Sequence, residues 1–265
     1  MKKIIVAILM ICFGVIAYKT IYIKEEGELF DYNLKKSSAI SKGSLFTSPE
    51  STIEESLKES KKNNNIDKFL DLEKQLQNEY NKTSSSLVLY WQAYLGYAKS
   101  RYYNELGYMD KAKEEILGSV EILERITLKN SDDYALLGML QGFAIPFLKK
   151  QKVVVYSIKA RKNIAESLKL DSTNVRGHFV AANNDAYTPK EFGGGQIIEK
   201  HLKKAIELSP KTSKNSFSPS WGKIESYSLL IFHYRQIGEM DKADNLLKRF
   251  NKLYPEQEIM GFEID

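Results

Sequence analysis

Three histidines, a run of three glycines and a single cysteine are the residues of this 265-residue chain whose spacing can be tested against known site chemistry. His178, His201 and His233 stand 23 and 32 positions apart, so no two share one helix face four residues apart, as paired zinc ligands do. They read as surface or packing histidines, and no metal is expected. Gly193, Gly194 and Gly195 precede a helical stretch and could offer backbone amides to an anion. They lack the Lys-Ser/Thr ending of a phosphate loop and follow no strand, so they read as a structural turn packed closely under Phe192. No serine-nucleophile pattern occurs, and the scattered Glu/Lys pairs have the spacing of solvated helix faces. The expectation is therefore no catalytic residue, no cofactor and no enzyme.

Cys12 lies inside an unbroken apolar run from Ile4 to Ala17 that follows Lys2 and Lys3. This is the layout of a secretory signal, with Val15 and Ala17 at the small-residue positions and cleavage expected between Ala17 and Tyr18. The alternative is a retained anchor over residues 4–23, with Lys19 snorkelling to the interface. Cleavage would leave a mature chain without a thiol, hence without a disulfide or thiolate metal site. It would also reduce the net charge of +5 to about +3, too weak to imply a nucleic-acid partner. The expected address is periplasmic or secreted, with membrane contact only if the N-terminal segment is kept.

The elements that would position any site are helices. One hexapeptide occurs twice, Gly107-Tyr-Met-Asp-Lys-Ala112 and Gly238-Glu-Met-Asp-Lys-Ala243, each copy between two amphipathic stretches. A glycine past a helix end can close it in the left-handed conformation, an aspartate suits the next N-terminus, and a small alanine lets two helices approach. Apolar periodicity predicts helices over 47–62, 66–80, 87–107, 110–128, 134–150, 153–170, 174–187, 196–209, 224–237 and 241–253. Thr47 is read as the first cap, Pro146 as a kink and Asn174 as a later cap, while residues 211–219 read as a polar loop. No window alternates as a strand would. The reading is an all-α chain: a signal over residues 1–17, a linker over 18–47, helical repeats over 48–256 and a tail over 257–265. About five antiparallel pairs would stack into an α-solenoid, because each pair alone can bury only part of its apolar surface.

The last pair carries the signature spacing of a known repeat: Tyr227, Leu230, Ile231, Tyr234, Gly238, Ala243, Leu247, Phe250 and Pro255. Ser100, Tyr103, Gly107, Ala112 and Ile116 fit the same register. The chain thus resembles the tetratricopeptide-repeat family. Positions 112, 160, 198 and 243 stand where that family has its small residue, with Ala112, Ala160 and Ala243 keeping alanine. Their spacings of 48, 38 and 45 exceed the family's 34 residues, which implies longer helices and an inserted loop. The stretch containing Thr188-Pro-Lys-Glu-Phe-Gly-Gly-Gly195 and Pro219-Ser-Trp-Gly222 is also similar to a group of exported bacterial repeat proteins with no established activity.

The resemblance implies a right-handed superhelix whose inner helices line a concave groove. By register the residues facing that groove are Tyr94, Tyr97, Arg101 and Asn104, with Phe232 and Arg235 in the last pair. Tyr and Arg are favoured at interface hot spots, although aromatic stripes at helical spacing are also what helix packing claims for the core. The functional expectation is an exported, non-enzymatic scaffold holding a protein or peptide partner in its concave face. The alternative is a small-molecule or lipid carrier with an aromatic-lined pocket, serving solute uptake as the resemblance to some exported repeat proteins implies.

Overall fold

The computed structural model describes residues 48–209 and 215–261. The expected signal with its cleavage point at Ala17 and Tyr18, the anchor alternative, the linker and the last residues of the tail lie outside the described residues. Within them the chain is all-α: ten α-helices, two short 3-10 turns and no strand.

Helix α1 (Pro49–Asn63) starts one residue later than the sequence suggested. Ser48, not Thr47, is the cap: its hydroxyl accepts from the Ser51 amide, and Pro49 fills a first-turn position where no donor is needed. Asn64, in the left-handed region at φ 51°, closes it. After α2 (Asp67–Thr83), Ser85 caps α3 (Ser86–Glu105), which Gly107 separates from α4 (Met109–Glu124). An Asn130–Asp133 capping box opens α5 (Ser131–Ala144). The expected kink at Pro146 is instead a break. Lacking an amide proton, Pro146 sits in a 3-10 turn over Ile145–Phe147, and α6 (Lys150–Leu170) begins afresh beyond it. Asn174 caps α7 (Val175–Ala186) as expected, followed by α8 (Ile198–Glu207), α9 (Lys223–Gln236) and α10 (Met240–Leu253).

Cross-helix bonds fix the pairing. Ser131 meets Ser167 while Gln141 meets Asn163, and His178 meets His201 while Asp185 meets Ile197, so α5/α6 and α7/α8 run antiparallel. The α3/α4 and α9/α10 pairs follow the same rule through Ser100–Ala112 and Tyr227–Phe250. Small residues set these distances: a Cβ on Gly96 would lie 2.2 Å from the Ser119 hydroxyl, and one on Gly138 would lie 2.7 Å from Ile164. Each odd-numbered helix also touches the next odd-numbered one, whereas even-numbered helices make at most marginal contact with one another among the described residues. Ala112, Ala160 and Ala243 are fully buried between layers.

Candidate binding face

Helix α3 supplies the core of the odd-numbered layer. Trp91, Tyr94 and Tyr97 recur along it at three-residue spacing and Tyr90 adjoins Trp91, and their rings meet edge to face at centroid distances of 5.1–6.1 Å. Tyr90, Trp91 and Tyr94 are claimed by the chain itself. The stretch from Phe217 to Gly222, read from sequence as a polar loop and the start of a helix, lies across α1, α3 and α7. Phe217 is 0% exposed and its carbonyl accepts from the Trp91 indole at 2.8 Å. Trp221 is 4% exposed, donates to the Tyr90 hydroxyl at 2.7 Å and packs against Tyr94 and Phe179. On α1, Glu50 accepts from the Ser220 and Trp221 amides at 2.7 and 3.2 Å and from the Ser220 hydroxyl at 2.9 Å.

Gly222 closes this stretch at φ 104°, where a Cβ would also meet the Arg176 backbone at 3.2 Å. Its amide donates to Glu225, which caps α9. Arg176 in turn donates to Asp132 at 2.7 Å. Burial raises the Glu50 carboxyl despite its three hydrogen bonds. It pushes Glu225 up to about 7, with the charges of Glu50 and Glu54 adding to the effect.

Beyond the inserted stretch the aromatic strip continues. Tyr97 is half-buried, stacks edge-on against Phe143 of α5 at 5.1 Å and carries the Arg101 guanidinium 5.6 Å above its ring. Glu54 accepts from the Tyr94 hydroxyl at 2.9 Å and lies 3.9 Å from Arg101, a loose ion pair. Burial raises Tyr94 well above its ordinary value and raises Tyr97 as well, so both phenols stay protonated.

Among the residues expected to face a groove, Tyr94, Tyr97 and Arg101 are therefore brought together. Tyr94 is 4% exposed, spent on Glu54 and Trp221 and not free for a partner. Asn104 is exposed one turn beyond Arg101. Phe232 is half-buried and Arg235 exposed along α9, but the α9 residue within electrostatic reach of Tyr94 and Tyr97 is Glu225. Sequence reasoning missed Glu50, Glu54, Arg176 and Glu225. A glycine three residues before a glutamate at a helix start, Gly222 and Glu225, was the available signal for the last.

The remaining sequence candidates resolve differently. In the glycine run, the Gly193, Gly194 and Gly195 amides donate to the Lys190, Pro189 and Asp185 carbonyls, which leaves none of the three for an anion. Phe192 does not cover them: it is 68% exposed, and the tight contact is a Gly194 Cβ position 1.7 Å from the Thr188 carbonyl. His178 and His201 come together across α7 and α8, their Nδ1 atoms 3.0 Å apart, and the other nitrogen of His178 bonds the Ser172 carbonyl. No third metal-binding side chain joins them among the described residues. Compared with protein-family models, curated proteins and solved structures, the chain matches none.

Proposed function

We propose that this chain is an exported helical-repeat scaffold, built as a right-handed solenoid of tetratricopeptide-like pairs, that holds an extended protein or peptide segment against its odd-numbered helices. Contact along the odd-numbered layer together with separation in the even-numbered one supports curvature toward the former, as expected of a superhelix. The observation that carries the reading is the chain's own Phe217–Gly222 stretch. It lies on this layer as a bound peptide would, its backbone amides on Glu50, its backbone carbonyl on Trp91 and its tryptophan between aromatic rings. The same strip runs on through Tyr97, Phe143, Arg101 and Asn104, which remain partly or fully exposed. A planar guanidinium over an aromatic ring suits a backbone or side-chain carboxylate of a visiting segment.

A photo-crosslinking residue at Tyr97 tests this in the native envelope fraction. One discrete adduct is expected, lost on Arg101→Ala and unaffected by Lys252→Ala on the far side of α10. Adducts equally strong in both variants, or none at Tyr97, would remove the groove from consideration. The carrier alternative predicts a small solute co-purifying with the chain and no adduct.

A further inference from the structure

The stretch from Tyr134 to Ala165 holds six lysines and arginines and not one aspartate or glutamate. With a net charge of +5 over the whole chain, this single stretch carries the entire excess. Five of the six sit on the outward face of α6, and Lys149 precedes its first turn. That face has an apolar crest: Val154, Val155 and Ile158 are 63, 50 and 62% exposed. At 100° per residue the three fall within one third of the helix circumference, with Lys150 and Arg161 along one edge, Lys152 and Lys159 along the other, and Lys162 rising between Ile158 and Val155. The opposite side, with Ala160 and Ile164, is buried against α5.

We infer that this face of α6 docks on an anionic lipid surface. Val154, Val155 and Ile158 would enter the headgroup boundary while the flanking lysines reach the phosphates. Charge decides between occupants. Among the described residues only Lys159 has a carboxylate within ion-pair range, Glu124 at 3.0 Å, while Lys149, Lys150, Lys152, Arg161 and Lys162 have none there. Among the described residues, Glu121 and Glu124 of α4 lie on the Lys159 edge, Glu166 of α6 itself pairs with Lys169, and Asp185 of α7 lines a groove beside Arg161 but accepts from the Ile197 amide.

A second copy would set like charge against like along both edges. Protein hot spots favour Trp, Tyr and Arg, whereas this crest is aliphatic and its rim mostly lysine, the point-charge cation that snorkels. Each such lysine near an anionic leaflet adds to the attraction. A shallow groove of about 270 Å³ continues the apolar surface from Ala165 past Leu168 to Ile197. No helix among the described residues is long and apolar enough to cross a bilayer, so the contact is one of surface docking.

Because the N-terminal apolar run could itself bind vesicles, the test must read the crest locally. In full-length protein carrying Cys12→Ser, a polarity-sensitive fluorophore is attached at Ile158→Cys or, as a control, at Tyr108→Cys. Vesicles of phosphatidylcholine are compared with and without phosphatidylglycerol. The expected result is a blue shift and quenching by membrane-embedded quenchers at position 158 only, with phosphatidylglycerol only. Both are lost in high salt and in the Lys150→Glu, Lys152→Glu, Lys162→Glu variant, whose far-ultraviolet circular dichroism should match the parent. No shift at position 158 on phosphatidylglycerol vesicles overturns the inference, as does an equal shift on phosphatidylcholine alone. A shift that grows with protein concentration without vesicles assigns the crest to a second copy and equally overturns it.

Discussion

The two copies of the hexapeptide make nearly the same turn and serve different faces. In both, the glycine lies in the left-handed region, at φ 76° for Gly107 and 81° for Gly238. The next amide reaches back to the matching tyrosine carbonyl at 2.9 Å, Tyr108 to Tyr103 and Glu239 to Tyr234. The hexapeptide lysine then covers that tyrosine's ring, Lys111 over Tyr103 at 5.4 Å and Lys242 over Tyr234 at 5.6 Å. The helices entering the turns diverge. Tyr94 and Glu225 stand thirteen residues before their glycines. One is a buried phenol under the inserted stretch, the other a carboxyl raised to about 7 at the start of α9. Among the described residues, helix α3 has odd-numbered neighbours on both sides, α1 and α5, whereas α9 has only α7. Turn chemistry is local and repeats, while the use of a face depends on its place in the array.

The strongest way to break that comparison is to empty the α3 face. Trp221→Ala removes the ring packed on Tyr94 and Phe179 and leaves the Tyr90 hydroxyl without its donor. A loss of about 3–5 kcal/mol in urea unfolding is expected, as for other large aromatic truncations in a core. Arg235→Ala on the exposed side of α9 should change stability by less than about 0.5 kcal/mol. Comparable small effects from both would mean that the inserted stretch is a surface loop.

Next in size is the packing beneath the turns. Ala112→Leu and Ala243→Leu each force three extra carbons into a fully buried position and should each cost about 1–3 kcal/mol. The first should cost more, because the Ala112 carbonyl also accepts from the buried Ser100 hydroxyl at 2.6 Å. An unchanged melting temperature in either variant would contradict close packing of that pair.

What was legible in the sequence follows the same division. Ten helices, their order and most of their ends came from apolar periodicity and from local caps such as Asn174, because both act within a turn or two. Two of the misplaced ends have local causes too: a serine preferred to its neighbouring threonine ahead of Pro49, and a proline that ends α5 where a kink was expected. The inserted stretch could not be found this way, since Glu50 meets Ser220 across 170 positions and no periodicity encodes that contact. For the same reason Tyr94 read as a groove residue, and His178 and His201 read as unrelated.

The α9 copy differs further in its response to pH. The folded-state value of about 7 for Glu225 lies above its ordinary 4.5, so between those limits the folded chain holds a proton that the unfolded chain releases. That contribution is complete below about pH 4.5, declines as pH rises and is gone above about pH 7. Asp133, raised from 3.8 to about 7 by burial, acts in the same sense, and the lowered histidines act in the opposite one. The informative quantity is therefore the difference between parent and Glu225→Gln, measured by urea unfolding at several pH values. The variant should gain about 1–2 kcal/mol relative to the parent between pH 5 and 7.5, with little further change above. A constant difference across that range would mean that Glu225 ionises as an ordinary exposed carboxyl.

The smallest expected effect is the sharpest check on the equivalence of the two turns. Neither Gly107 nor Gly238 has any atom within 4 Å of where a Cβ would stand, so a methyl group meets no steric obstacle at either site. What remains is the backbone cost of holding an L-residue at positive φ, about 1 kcal/mol. Gly107→Ala and Gly238→Ala should therefore destabilise by the same amount within measurement error, although one turn serves a helix packed on both sides and the other a helix near the end of the array. Asparagine, which tolerates this conformation better, should recover part of the loss at both. A penalty at Gly107 several times that at Gly238 would show that the turn is coupled to the packing of α3, and the separation between local closure and array position would fail.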